Sequence, residues 1–239
     1  MVDLDTLTSD GLAQLVDHTF LKPVGDAEAV TRLCEEAREW GFATAMVSPC
    51  EVARCVRLLD GSKVRVGTVI SFPLGQMTSI AKSLEIRDAL DNGAREIDMV
   101  ENVRALQAGD DGLVSAEFAD LAAQCRSRGA VSKVILETCY LTDAQKVRAC
   151  ELARSAGIDF VKTSTGFGPA GATVADVALM RRTVGPGMGV KAAGGIRDWA
   201  TARAMIAAGA TRLGTSSGVA IVKGFRAWRG EAEGQDDGR

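Results

Sequence analysis

The chain has 239 residues, 46% of them apolar and 25% charged, the values of a globular chain with enough material for a substantial core. Its 28 basic and 31 acidic residues leave a net charge of −3, so the basic excess of a nucleic-acid binder is missing, and no run of like charge suits an anionic membrane surface. No apolar stretch reaches the roughly 18 residues of a membrane span, and the acidic opening MVDLDTLTSDG lacks the apolar centre of a signal peptide; a cytoplasmic protein is expected.

Short β-rich runs alternate with amphipathic stretches. In chain order the strands are predicted at Leu15–Thr19, Ala43–Val47, Val64–Ile70, Glu96–Val100, Lys133–Glu137, Phe160–Thr163, Gly189–Ala192 and Arg212–Thr215. Helical patterns lie between them at Ala27–Trp40, Glu51–Leu59, Ser79–Asn92, Val114–Arg128, Asp143–Ala156, Val174–Val184 and Trp199–Ala208. Gly41, Gly93, Gly157 and Gly209 follow four of these runs as C-caps would, and Thr142 and Thr173 stand where N-caps are expected. Eight β-α units in a chain of this length predict a single (β/α)8 barrel, a TIM barrel, rather than a doubly wound sheet. No GxGxxG follows an early strand. The barrel is expected over residues 1–225, and the polar, Gly-rich segment 226–239 is expected to be a disordered tail.

Cysteines at 34, 50, 55, 125, 139 and 150 form no CxxC pair and read as free, mostly buried thiols. With the single histidine, His18, they offer no zinc-ligand set, and no GxSxG elbow accompanies a serine. No metal and no cofactor are expected. His18 alternates away from Asp17, so it is expected to pack outside the lumen.

Chemistry in such a barrel sits at the C-terminal ends of the strands, which singles out Asp17, Asp98, Glu137, Lys162, Lys191 and the Thr/Ser cluster at 215–217. Lysine is scarce, 8 against 20 arginines, so lysines inside apolar strands stand out. Lys133 begins its predicted strand and is expected at the bottom, in a structural ion pair. Lys162 and Lys191 end adjacent strands, whose neighbouring positions are about 5 Å apart. Two such amines lower each other's pKa, and a neutral amine attacks a carbonyl to give a Schiff base. The alternative is two lysines neutralised by carboxylates. Asp98 either shuttles protons or makes a salt bridge; Glu137 either binds substrate or satisfies Lys133 or Thr138. The turns Gly194-Gly195 and Gly214-Thr215-Ser216-Ser217 follow strands seven and eight, where barrels often hold phosphate on backbone N–H groups.

The runs VDHTFLKP, VISFPLGQMTSIAKSLE, GAREIDMV, KVILETCYLTDAQKVRACELARSAGIDFVKTSTGFGPAGAT and GVKAAGGIRDWATARAMIAAGATRLGTSSGV resemble the deoxyribose-phosphate aldolase family, over residues 11 to 224. The resemblance implies a metal-independent class I aldolase that cleaves 2-deoxy-D-ribose 5-phosphate reversibly to D-glyceraldehyde 3-phosphate and acetaldehyde, in deoxyribonucleotide and carbohydrate breakdown. It places the Schiff-base lysine at Lys162, the second lysine at Lys191 and the acid/base aspartate at Asp98. It places phosphate-binding turns at Gly166, Gly194, Gly195, Gly214, Ser216 and Ser217, with Asp17 and Thr165 beside the substrate. It also implies a homodimer or other homo-oligomer. Some members have a lysine after KTSTG that touches substrate; here Phe167 stands there. Some end in a tyrosine that reaches the site; this chain ends GQDDGR. Two alternatives use the same phosphate loops without aldolase chemistry: a flavin mononucleotide barrel and a sugar-phosphate-binding barrel.

Overall fold

In the computed structural model, which describes residues 2–230, each β-rich run becomes a strand parallel to its sequence neighbours, and the eighth pairs back onto the first. The strands are β1 (Val16–Phe20), β2 (Thr44–Val47), β3 (Arg65–Ile70), β4 (Glu96–Val100), β5 (Val131–Ile135), β6 (Phe160–Lys162), β7 (Gly189–Ala193) and β8 (Arg212–Thr215). The helices are α1 (Ser9–Ala13), α2 (Ala29–Trp40), α3 (Val52–Leu58), α4 (Ser79–Asp91), α5 (Val103–Ala108), α6 (Asp111–Ser127), α7 (Asp143–Ala156), α8 (Val174–Val184), α9 (Trp199–Ala207) and α10 (Gly218–Arg229). The expected (β/α)8 barrel is therefore present.

Local chemistry explains the element ends. Thr142 and Gln145 form a reciprocal capping box at the start of α7. Thr173 Oγ1 accepts from Asp176 N at α8. Gly41 and Gly157 close α2 and α7 in the left-handed conformation. The helices bury their apolar faces against the outside of the sheet, where Ile97, Met99, Val134, Val161 and Leu213 meet Ile86, Phe118, Leu121, Ala149 and Val177 in one continuous core. Each such Leu, Ile or Phe contributes about 1.5–3 kcal/mol through burial.

Several boundaries differ from expectation by one to three residues, and the two in β5 move chemistry. β5 begins at Val131, so Lys133 is its third residue rather than its first. The strand also stops at Ile135, leaving Glu137 beyond it with φ of 50°. At the other end, α10 continues through Arg226 to Arg229, past the expected end of the barrel. Trp228 stacks there on Trp199 and Phe225, and Arg229 donates to the carbonyls of Asp5 and Leu7. The remainder of the expected tail, 231–239, lies outside the described residues. The cysteines are free; Cys34, Cys55, Cys125 and Cys150 are buried, Cys139 is partly buried, and Cys50 is exposed.

Candidate active site

Strand alternation sends residues i and i+2 to the same face. On β4 this puts Glu96 and Asp98 inside the barrel and Ile97 and Met99 in the outer apolar layer. Lateral register then fixes the neighbours: Asp98 stands level with Lys133, and Lys162 level with Lys191. The lumen therefore fills with charge. Asp98 Oδ2 accepts from Lys162 Nζ at 2.9 Å and from Lys191 Nζ at 2.7 Å, and Asp98 Oδ1 accepts from Lys133 Nζ at 2.9 Å. Lys191 is also bound to Asp17, which accepts from Arg212 Nη1 at 2.6 Å. Glu96 closes the base by accepting from Lys133 at 2.5 Å and from Arg212 at 3.1 Å. Gly214 makes room for this network: a Cβ there would lie 3.0 Å from Lys191 Cε and 2.9 Å from Ala193 Cβ.

The electrostatic consequence differs between the members. Burial pushes the Asp98 carboxyl up, but Lys133, Lys162 and Lys191 outweigh it and hold the group well below the usual range. Asp17 is likewise lowered: burial opposes, and Lys191, Arg212 and Lys133 prevail. Lys133 is raised, because Asp98, Glu96 and Asp17 together outweigh its burial. Lys162 goes the other way. Burial lowers it, Asp98 only partly offsets this, and the Lys191 charge adds to the lowering, leaving its pKa at about 8. Among these buried groups three carboxylates face four cations, with Arg65 approaching Glu96 at 3.7 Å from the exposed base. Lys133, Lys191 and Arg212 balance the three anions, and Lys162 is the amine left over.

Lys162 is also the lumen lysine that reaches a cleft. This cleft has a volume of about 430 Å³ and is lined by Lys162, Thr165, Gly166, Gly194, Gly195, Gly214 and Ser216, with Thr19, Lys22, Phe167 and Arg197 among the other walls. Of the predicted phosphate-turn residues, Ser217 is set apart: it precedes α10 as its N-cap, and its N–H is donated to Thr215 Oγ1 at 2.9 Å. Asp17 is not at the mouth. It is the second residue of β1, level with Thr44 and Gly214, fully buried and paired with Lys191.

The turn after β6 is held from two sides. Thr165 donates its N–H to Glu137 Oε1 at 3.2 Å and its hydroxyl to Oε2, while Thr165 Oγ1 accepts from Phe167 N at 3.0 Å. Glu137 thus satisfies neither Lys133 nor Thr138. It clamps Thr165 from a left-handed backbone, a conformation that costs a non-glycine residue of order 1 kcal/mol. Further along, Ala172 N donates to the carbonyls of Ala193 and Gly194, and a Cβ on Gly171 would come within 2.2 Å of Gly194 O. His18 lies outside the lumen as expected, bonded to Glu36 of α2 at 2.6 Å and stacked near Phe42.

Glu96 and Arg212 were not among the predicted site residues. Both begin their strands, a position that reads as the stability end of a barrel; their signal was the i, i+2 relation of Glu96 to Asp98. Lys133 forms the expected ion pair, with Glu96 and with Asp98, the carboxylate that also holds Lys162.

A family model for the DeoC/LacD family of aldolases matches residues 11–224. The chain belongs to this family. A deoxyribose-phosphate aldolase of Bacteroides thetaiotaomicron is 58% identical over 92% of both chains, and one of a Geobacillus species is 53% identical over 90% of this chain and 96% of the relative. Among solved structures, a putative deoxyribose-phosphate aldolase of Coccidioides immitis superposes with a TM-score of 0.87 at 39% identity, covering 92% of this chain and 87% of its own. A tetrameric deoxyribose phosphate aldolase of Aeropyrum pernix gives 0.87 at 35%, covering 94% and 95%. A mandelate oxidase structure at 14% identity and a TM-score of 0.59 shares the fold alone. Membership in the aldolase family disfavours the flavin and non-catalytic alternatives.

Proposed function

We propose that Lys162 is the nucleophile of a reversible class I aldolase acting on 2-deoxy-D-ribose 5-phosphate. The activity is that of the deoxyribose-phosphate aldolases the chain resembles: cleavage to D-glyceraldehyde 3-phosphate and acetaldehyde. The observation that carries the assignment is the surplus amine at the cleft floor, buried, poised at about 8, and bonded to a carboxylate that a second lysine shares.

Neutral Lys162 attacks C1 of the open-chain sugar, and loss of water gives an iminium. The iminium accepts the electron pair of the C2–C3 bond as a base takes the C3 hydroxyl proton. Asp98, bonded through one oxygen to both Lys162 and Lys191, faces the iminium charge, orients the lysines and serves through a water as the base for the C3 hydroxyl. Asp98, with Lys191 and water, carries that proton from oxygen to carbon. The enamine is protonated at carbon, and hydrolysis frees acetaldehyde and restores the amine. Gly166, Gly194, Gly195, Gly214 and Ser216 hold the phosphate, with Ser217 placing the start of α10 behind them; this remote binding aligns the reacting carbons. Thr165, clamped by Glu137, forms the wall beside the sugar. Asp17 holds Lys191 in place through their ion pair.

Borohydride reduction with acetaldehyde tests the assignment: one ethyl group should appear on the peptide containing Lys162. An adduct on Lys191 would reverse the two roles. No helix among the described residues is long and apolar enough to cross a membrane. We place the enzyme in the cytoplasm as a homo-oligomer, with the tetrameric Aeropyrum pernix neighbour as support for assembly.

A further inference from the structure

We propose that Lys22, in the loop between β1 and α2, supplies the cation that faces the substrate phosphate; this rests on the aldolase reading above. Backbone N–H groups and the Ser216 hydroxyl bind phosphate oxygens without neutralising the dianion. Where some family members put a lysine, this chain has Phe167, half exposed and packed edge-on against Phe72 with ring centres 5.2 Å apart. The lumen lysines cannot substitute, since Lys133, Lys162 and Lys191 are all drawn onto Asp98.

The loop after β1 provides another source of charge. Lys22 lines the same cleft as Gly195, Gly214 and Ser216, and it has no ion pair or hydrogen bond among the described residues. Its strand is the neighbour of β8, with His18 level with Thr215, so its loop rises beside the Gly214–Ser216 turn. Arg197, on the opposite side of that turn, also lines the cleft. An anion over the β8 turn therefore has Lys22 on its β1 side, where a flexible, exposed amine meets it without giving up another partner.

The test compares wild type, Lys22→Ala and Lys22→Arg. For Lys22→Ala the ratio of kcat/KM for deoxyribose 5-phosphate to that for unphosphorylated deoxyribose should fall about tenfold or more, as expected for losing one charge-assisted contact; Lys22→Arg should recover most of it. Inorganic phosphate, followed by isothermal titration, should bind Lys22→Ala about tenfold more weakly than wild type. That measurement needs no turnover, so it judges Lys22 even if the aldolase assignment fails. Borohydride trapping of acetaldehyde, which involves no phosphate, reports the lysine chemistry separately. An unchanged substrate ratio together with unchanged phosphate affinity would overturn the proposal, as would an equal loss on both sugars with phosphate binding intact.

Discussion

Replacing Lys191 by methionine should move the ionisation of Lys162 upward, and the size of the move follows from the lumen geometry. Both amines bond the same oxygen, at 2.9 and 2.7 Å, so their nitrogens are less than about 6 Å apart; at an effective dielectric constant near 20 they repel by about 3 kcal/mol. Removing that repulsion should carry the Lys162 pKa from about 8 to about 10, since 1.36 kcal/mol corresponds to one pH unit. Freeing Asp98 from Lys191 acts in the same direction, because the carboxylate then attracts the remaining ammonium more strongly. Only the neutral amine attacks acetaldehyde, so the rate of borohydride trapping rises with pH and levels off above the midpoint. At pH 7.5 about one quarter of wild-type Lys162 is neutral, against about one in 300 in the variant, a loss of about 80-fold in the trapping rate. Full pH profiles should show the wild-type midpoint near 8 and the variant's near 10, with Lys191→Arg staying close to wild type. A Lys191→Met midpoint at or below the wild-type value would refute the repulsion argument.

Lys133→Met should destabilise the fold by about 3–5 kcal/mol in urea unfolding, because it leaves Glu96 and Asp98 short of a buried partner. Ser216→Asp should reduce kcat/KM for deoxyribose 5-phosphate by at least about tenfold through lost hydrogen bonding and like charge, with a much smaller loss on unphosphorylated deoxyribose; steady-state kinetics on both sugars decide it. Gly171→Ala drives a Cβ into Gly194 O, so the loop after β6 must lift from the β7 turn; thermal denaturation and the KM for the phosphorylated sugar should both register the change. Activity should survive prolonged treatment with EDTA and fail to rise when divalent cations are restored, since the proposed steps use lysine, carboxylate and water.

The barrel was readable because two periodicities alternate so regularly: apolar strands at 2 and helices at 3.6, punctuated by Gly41, Gly157 and the Thr142 cap. Lys162 was readable as a polar group ending an apolar strand; Lys191, expected at a strand end, is the third of the five residues of β7. What sequence could not supply was reach. A lysine side chain spans more than one layer of a barrel, so Lys133 leaves the middle of β5 and engages both Glu96 and Asp98. Asp17 was expected at a strand end because β1 reads one residue early; the lateral register with Thr44 and Gly214 sinks it instead. Glu137 depends on a backbone reversal that no side-chain pattern announces.

The seven-member charge network also links the two ends of the molecule. Arg212 sits at the start of β8, at the base of the lumen, yet it shares Asp17 with Lys191 and Glu96 with Lys133, and so helps both lysines reach Asp98 as well. A change at this basal guanidinium would redistribute protons several side chains away without touching a substrate atom. Anyone wishing to shift the working pH of such an enzyme has a handle outside the substrate cleft, while changes meant to harden it against heat belong in the helix–sheet layer, where Ile97, Phe118 and Leu121 carry no charge. Choice of pH is written into the inner, charged shell of the barrel, and most of its apolar burial into the outer one.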